Sequence, residues 1–492
     1  MIEQKGSNLA LLLATVAFAV CFAAWLIYGV LIVFLNENAI FAFSPRQIGW
    51  LIGIPVLTGS IARLPIGIAT DKWGGRIMMT ALMVVSAIPM FLLSYATTYW
   101  HFMLAGLGFG LTGASFAVGV AYVSTWFSGN TIGTKLGIFG MGNAGAAATS
   151  LCGPQLLEWL TEGGTKPENW RQFPIIYGVF LIVMGLIFFV LAGSRKVDKQ
   201  LSMSQRLEPL KSIRVWRFGL YYFLVFGGFV ALSQWLLSYY VNVYQVTATT
   251  AGLLTAAFAL PSSLIRAVGG WLSDKFGAKT VMYWVFALML LACACMSIPK
   301  MQITTPGQGV LARADGEVTQ AGNGTVTVDE TVYNYREKTL DPNPEQPFFL
   351  SVTQWQKPAP GIELGKPVAR TELLAEGITE INFPATIWVF TSLTLVVGIT
   401  MGIGMGAVYK YIPNYFPDSV GITGGMVGVL GGLGGWVCPI IFGYLLQLTG
   451  LWSSCWFFLM LITMICLVWM HLVAERIVKS KAPEAANQFE SE

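Results

Sequence analysis

Apolar stretches of about twenty residues recur along this chain, separated by short polar connections and carrying almost no charge inside them. An α-helix needs about 20 apolar residues to cross roughly 30 Å of hydrocarbon, so each stretch predicts a membrane-spanning helix. Twelve are predicted, near 9–35, 46–69, 77–97, 101–127, 133–157, 173–193, 216–243, 249–272, 279–299, 384–412, 420–447 and 452–474. The first, though preceded by Lys5, is longer than a signal-peptide core and lacks a small-residue cleavage motif, so it reads as a span. The pattern changes once. Residues 300–383 are polar and rich in Pro, Gly, Thr and Glu, and "GTVTVDETVYNYRE" (324–337) alternates apolar and polar positions as a half-exposed strand or hairpin does.

Composition agrees with the pattern. The 492 residues are 55% hydrophobic and 11% charged, against roughly 25% charged in a soluble domain. All seven cysteines fall in the apolar stretches, so no disulfide framework is expected. The net charge of +4 is no sign of nucleic-acid binding, because the cations are distributed by topology. With a cytoplasmic N-terminus, the inner segments hold 17 Lys and Arg and the short outer loops hold three, Arg46, Lys166 and Arg171. That asymmetry places both termini in the cytoplasm. Seven more cations lie in 300–383, which the topology puts in the periplasm and which long-loop behaviour exempts from the count. "NGT" at 323–325 matches a glycosylation acceptor, a pattern too short to carry weight.

Two cations remain, Arg63 and Arg266, and they begin a repeat. "RLPIGIATDKWGGR" (63–76) and "RAVGGWLSDKFGAK" (266–279) each place a glycine four residues after the Arg (Gly67, Gly270) and an Asp-Lys pair eight after it (Asp71-Lys72, Asp274-Lys275). Cutting the chain in the basic segment 194–215 puts each copy at the end of the second span of its half. The expected organisation is a six-helix half over 1–193, a cytoplasmic linker over 194–215, a second half over 216–474 interrupted by 300–383, and a tail over 475–492. Such a parallel repeat is the organisation of the major facilitator fold, whose substrate site lies near the bilayer midplane between the halves. The expected fold is therefore an all-α membrane protein of twelve helices in two pseudosymmetric halves. "GIATDKWGGR", ending in Arg76, resembles that superfamily's loop motif G-x3-D-[RK]-x-G-[RK], and the second copy matches it less fully. These turns read either as a conformational latch, Asp71 and Asp274 bracing neighbouring helix ends, or as solvated loops obeying the positive-inside rule.

Eight helical residues cover about 12 Å, so if Asp71 and Asp274 mark the inner surface, Arg63 and Arg266 lie close to mid-bilayer. A charge there costs at least about 2.5–3.5 kcal/mol and normally has a partner. The carboxylates near the spans, Glu37, Glu158, Asp71, Asp274, Asp418 and Glu475, all fall at span ends or in loops. The simplest counter-ion is a mobile anion. Alternatively, each Arg donates to backbone carbonyls at a helix break near Pro65 or Pro261. Recurrence at matched positions favours the anion, and a guanidinium suits it, being permanently charged and fork-shaped.

Two glycine-rich regions narrow the anion: "GFGLTGASFAVGVAYVSTWF" (108–127) with "GIFGMGNAGAAATSLCGP" (137–154), and "GITGGMVGVLGGLGGWVCPIIFG" (421–443). Close helix packing explains part of this. Together with Asn143 in "GMGNAG", Phe116 in "GASFAVG" and the paired arginines, they resemble the nitrate/nitrite porter family of the major facilitator superfamily over all twelve spans. The resemblance implies that Arg63 and Arg266 bind the anion. It further implies that Phe116 and Phe226 pack near the anion's plane, that Tyr222 and Asn143 donate hydrogen bonds, and that Gly140, Gly142, Gly428, Gly431 and Gly432 are signature glycines. Tyr222 and Phe226, four apart, share a helix face and read equally as packing residues. The implied partners are nitrate, nitrite and the lipid bilayer, with no cofactor, metal or nucleic acid, in a monomer of the bacterial inner membrane. The expected activity is exchange by alternating access; proton symport and an anion channel are the alternatives. Symport usually needs a titrating group in the membrane, and His101 and His471 both lie at span ends.

Overall fold

Hydrocarbon offers the backbone no hydrogen-bond partner, so an apolar stretch must satisfy its own N–H and C=O groups as a helix. The computed structural model describes residues 7–127, 132–195, 208–298, 301–322, 324–337, 351–382, 386–416 and 420–481. Asp418, Asn323, the C-terminal end of the tail and most of the 194–215 linker lie outside the described residues. The helices, numbered here by predicted stretch, are α1 (Ser7–Trp25 and Tyr28–Glu37), α2 (Pro45–Trp73), α3 (Gly75–Leu93), α4 (Tyr99–Phe109 and Ser115–Ser124) and α5 (Ile132–Gly140 and Gly145–Leu160). They continue with α6 (Gln172–Leu191), α7 (Ile213–Tyr222 and Gly228–Tyr244), α8 (Ala248–Leu264 and Arg266–Phe276), α9 (Ala278–Ser297), α10 (Ile387–Tyr415), α11 (Val420–Thr449) and α12 (Ser454–Lys481). Among the described residues ten helices are long and apolar enough to cross a membrane, and eleven if α8, bent by 42° at Ile265, is one span. The remaining expected stretch, 133–157, is the interrupted α5. Its Asn and many small residues make it less apolar than its neighbours, and one face of it is buried in the bundle.

The repeated motif ends its helix identically in both copies. Gly74 and Gly277, each three residues after the motif's Asp, adopt φ of +85° and +83°, and each donates its N–H to a helix carbonyl, of Thr70 and Ser273. A left-handed residue stops a helix at the cost of a clash that only glycine escapes. Asp71 and Asp274 therefore lie in the last helical turns rather than in the loops.

Packing differs between the two ends of the bundle. At the end that carries Pro45, helices from the first and last six meet through glycine. A Cβ on Gly49 would fall 2.4 Å from the Pro439 carbonyl oxygen, one on Gly443 2.3 Å from that of Pro45, and one on Gly252 2.3 Å from that of Ser150. Side chains add to this seam: Arg46 lies 5.4 Å from the Tyr444 ring centroid, and Thr249 Oγ1 donates to Glu158 Oε2 at 2.9 Å. At the Asp71 end, Gly137, Gly270, Gly277 and Gly425 would meet nothing within 4 Å. The tight glycine contacts between α1–α6 and α7–α12 thus lie at the Pro45 end, whereas at the Asp71 end the tight ones, Gly75 on Tyr122 and Gly193 on Trp126, stay within residues 75–193.

Residues Cys295–Ser392 form a compact unit of their own. Its strands are β1 (Met301–Thr304), β2 (Val310–Leu311), β3 (Gly316–Gly322), β4 (Thr325–Val328), β5 (Thr331–Asn334), β6 (Ser351–Pro358), β7 (Pro367–Val368) and β8 (Leu373–Asn382). β8 pairs with β1, β2 and β6, and a second sheet runs β5-β4-β3-β7. The expected hairpin is β4–β5, closed around Asp329 at φ +50°. Its inward positions Val326, Val328 and Tyr333 pack with Val318, Val368 and Leu374 in a small core.

Gly49→Val is expected to destabilise the bundle by about 1–3 kcal/mol, the usual effect of forcing volume into a packed contact. A thermal-unfolding series in detergent checks this: Gly137→Val, placed where space is open, should leave the midpoint within a degree or two of the parent.

Candidate functional site

The two repeated arginines are among the few buried charges, at 5% (Arg63) and 7% (Arg266) exposure. Among the described residues neither has a carboxylate partner. Arg63 Nη1 donates to the Gly428 carbonyl at 2.5 Å and Nε to that of Gly113 at 3.3 Å. Arg266 Nη2 donates to Tyr222 Oη at 3.2 Å, and its Nη1 is buried with no partner among the described residues. Both guanidiniums lie over the ring of Phe116, at 5.4 Å and 5.6 Å from its centroid. Arg63 also lies 5.4 Å from Phe226 and 5.9 Å from Trp25, and Arg266 5.5 Å from Tyr409. Tyr222 and Phe226 stack at 5.0 Å, 6° from parallel, so their shared face is part of the site wall.

Magnitudes separate the two arginines. A hydrogen bond to a charged group contributes about 1.5–3 kcal/mol and a desolvated cation–π contact about 2 kcal/mol or less. Two carbonyl bonds and three aromatic neighbours offset most of the cost of burying Arg63. Arg266 has one hydroxyl partner and an idle N–H group, and so retains the larger demand for an acceptor. The carbonyl reading of these arginines therefore holds in part for Arg63, although its acceptors belong to α4 and α11 rather than to a break at Pro65. It does not hold for Arg266.

Irregular backbone positions most of these groups. A 3-10 stretch, Gly110–Ala114, supplies the Gly113 carbonyl and precedes Phe116; a second, Met141–Ala144, carries Asn143. A π-helical turn, Phe223–Gly227, carries Phe226, and Arg266 follows the bend of α8. Such departures from α geometry weaken internal hydrogen bonds and recur at functional sites. Asn143 is fully buried, its Oδ1 has no partner, and Nδ2 meets only Met405 Sδ at 3.9 Å. Among the described residues its amide N–H therefore has only this weak thioether acceptor.

The glycines connect α1–α6 with α7–α12. A Cβ on Gly140 of α5 would fall 3.3 Å from Arg266 Cζ; one on Gly432 of α11 would fall 2.3 Å from Ser60 Oγ and 3.3 Å from Arg63 Nη1. Each arginine is thus faced by a glycine of the opposite set. Gly428 supplies a carbonyl, Gly431 lies against Tyr222, and Gly142 packs on Phe18 of α1, away from the arginines. The motif residues lie apart from this site. Gly67 is buried in α2. Asp274 is ion-paired with Lys410 of α10, and Arg76 covers Phe189 at 4.7 Å. Lys72 and Lys275 lie over the adjacent rings of Trp73 and Trp271.

Trp25, Ser60 and Tyr409 were not among the expected residues. Tyr409 meets Tyr222 edge-on at 5.1 Å and donates to the Gly424 carbonyl at 3.2 Å. One signal for it exists in the sequence: the spacing G-x-x-Y occurs at Gly119–Tyr122 and again at Gly406–Tyr409. The repeat diverges there, since the Tyr122 hydroxyl bonds the Gly193 carbonyl instead.

A bundle of long apolar helices in which two buried guanidiniums, without a carboxylate partner among the described residues, share one ring has the form of a membrane transporter. A profile described as Major Facilitator Superfamily matches residues 13–312. The chain is 37% identical over 99% of its length to a Thermus thermophilus protein named "Probable nitrate/nitrite antiporter NarK1", covering 96% of that protein. It is 25% identical over 87% of its length to the "Nitrite extrusion protein" of Bacillus subtilis, covering 86% of it. Among solved structures, a bacterial homologue of the human lysosomal transporter Spinster, inward-facing and unoccupied, matches with a TM-score of 0.62 at 14% identity, over 97% of this chain and 99% of that one. The chain belongs to the major facilitator superfamily and, within it, to the nitrate/nitrite porter family.

Gly432→Ala is expected to lower the unfolding midpoint by several degrees, because its Cβ meets the Ser60 hydroxyl, and Ser60→Ala in the same chain should restore part of the loss. Calorimetry or a thermal-shift series on the two single variants and the double variant measures this coupling.

Proposed function

We propose that this protein exchanges nitrate and nitrite across the bacterial inner membrane by alternating access. In this reading twelve spans form the halves 1–193 and 216–474, joined by the cytoplasmic linker 194–215, and the chain acts as a monomer. Both termini are cytoplasmic and 300–383 is periplasmic. The Asp71 end is then cytoplasmic, and the glycine-tight Pro45 end makes this an inward-facing arrangement. The observation that carries the reading is the pair of guanidiniums over one Phe116 ring with no carboxylate partner among the described residues.

Planar, weakly hydrated oxyanions fit such a site. Arg63 and Arg266 supply charge and donors, Asn143 and Tyr222 further hydrogen bonds, and Phe116 and Phe226 flat walls. With the site empty, two cations in a low dielectric repel and oppose closure of the Asp71 end. An anion between them removes that opposition. Reorientation then requires a passenger in each direction, which is exchange. The ion pair of Asp274 with Lys410 supports the latch reading of the second motif, holding the ends of α8 and α10 together in this conformation.

In proteoliposomes, internal nitrite should accelerate nitrate entry with no pH gradient; uptake that needs an inward proton gradient and ignores internal nitrite would identify a symporter instead. Conductance in single-channel recordings would identify a channel. Arg63→Lys and Arg266→Lys are each expected to reduce counterflow at least tenfold, about 1.4 kcal/mol, since an ammonium cannot reproduce the fork. Counterflow at fixed protein content, with folding verified by size-exclusion profile, measures it.

A further inference from the structure

A second polar feature of α7 has no part in the site above. Gln234 is 0% exposed, and neither its Nε2 nor its Oε1 has a hydrogen-bond partner among the described residues. It lies eight residues past Phe226, about 12 Å nearer the Pro45 end at 1.5 Å per residue. Its stem presses on α1: a Cβ on Gly29 would fall 2.7 Å from Gln234 Cα and 3.1 Å from Cγ. This contact joins a helix of the last six to one of the first six, two residues past the Leu26–Ile27 turn that interrupts α1. One turn nearer the arginines, a Cβ on Gly435 of α11 would meet both Val230 of α7 and Val56 of α2. Further out, Asn242, two turns past Gln234, donates its Nδ2 to the carbonyl of Ser238, one turn past it, at 2.8 Å. Residues four apart are neighbours on a helix surface, so Val230 and Gln234 lie one turn apart on the side of α7 that meets α11, α2 and α1, with Ser238 the next position outward.

A buried carboxamide without partners is unfavourable where an apolar residue of similar volume would pack at no such cost. Gln234 lies where the seam must part for an ion to pass the Pro45 end. We infer that Gln234 is an outer binding station for the same small planar oxyanions, about midway between the outer mouth and the arginine pair. When the seam parts, Nε2–H donates to the anion; when it closes, the anion passes to Arg63 and Arg266 and the carboxamide is left dry. The station is neutral, so it holds the anion weakly and releases it in either direction, whereas a third guanidinium there would trap it. Ser238 and Asn242 supply polar groups toward the mouth, and Val230 closes the seam between station and site.

The inference rests on the nitrate/nitrite exchange reading, and the experiment separates the two. Wild-type protein and the variants Gln234→Met, Gln234→Leu and Gln234→Asn are reconstituted in one known orientation, and KM for nitrate is measured separately from each side against nitrite in the opposite compartment. Absence of exchange by the wild type would defeat the underlying reading. Given wild-type exchange, Gln234→Met and Gln234→Leu should raise KM at the Pro45 side three- to tenfold and leave KM at the Asp71 side within twofold, with Gln234→Asn, which keeps the donor, closer to wild type. Equal KM ratios in all four proteins, or Gln234→Met performing better than Gln234→Asn, would overturn the station and leave a packing role. If Gln234→Leu does not fold, the Met and Asn comparison decides alone.

Discussion

Two guanidiniums that cannot lose their charge occupy a low-dielectric interior with no acidic side chain, among the described residues, to neutralise them. Much of the surrounding architecture answers that constraint. Arg63 is quieted by the carbonyls of Gly113 and Gly428 and by aromatic faces; Arg266 is left short of acceptors. Carbonyls and rings lower the energy of a buried cation without cancelling its charge, so the field of the pair survives. A carboxylate in their place would have cancelled it and removed the attraction for a visiting anion.

Irregular backbone clusters around the same groups. One of the two carbonyls that accept from Arg63, that of Gly113, comes from a 3-10 stretch, while the other, that of Gly428, takes the guanidinium on its second lone pair within the continuous α11. The 3-10 stretches at Gly110–Ala114 and Met141–Ala144, the π turn at Phe223–Gly227 and the bend at Ile265 all lie within a few residues of the site groups. Glycine makes the close approach possible. Gly140 faces Arg266 and Gly432 faces Arg63 across the two sets of helices, so each charge is read by the opposite set. A ligand held by both arginines therefore acts on the relative position of the two sets, which is the geometric requirement for coupling occupancy to rocking.

The sequence by itself determined a great deal. Apolar length specifies spanning helices, because hydrocarbon thickness and backbone satisfaction leave no alternative. The repeat around Arg63 and Arg266 marked two of the buried charges, and the alternation in 324–337 marked the β4–β5 hairpin. Resemblance to a known family, rather than spacing, pointed to Asn143, Phe116, Tyr222 and Phe226.

Tertiary structure alone decided the rest. Trp25, Tyr409 and the carbonyl of Gly428 reach the arginines from other helices, and no local pattern encodes which faces will meet. Periodicity predicts continuous spans and so passes over the 3-10, π and bent segments, whose stability comes from neighbouring helices rather than from their own residues. It likewise gives no warning that Gln234, an ordinary polar residue in an apolar run, will be sealed against Gly29 without a partner. Helix existence follows from local chemistry, whereas the partners of a buried polar group follow from packing.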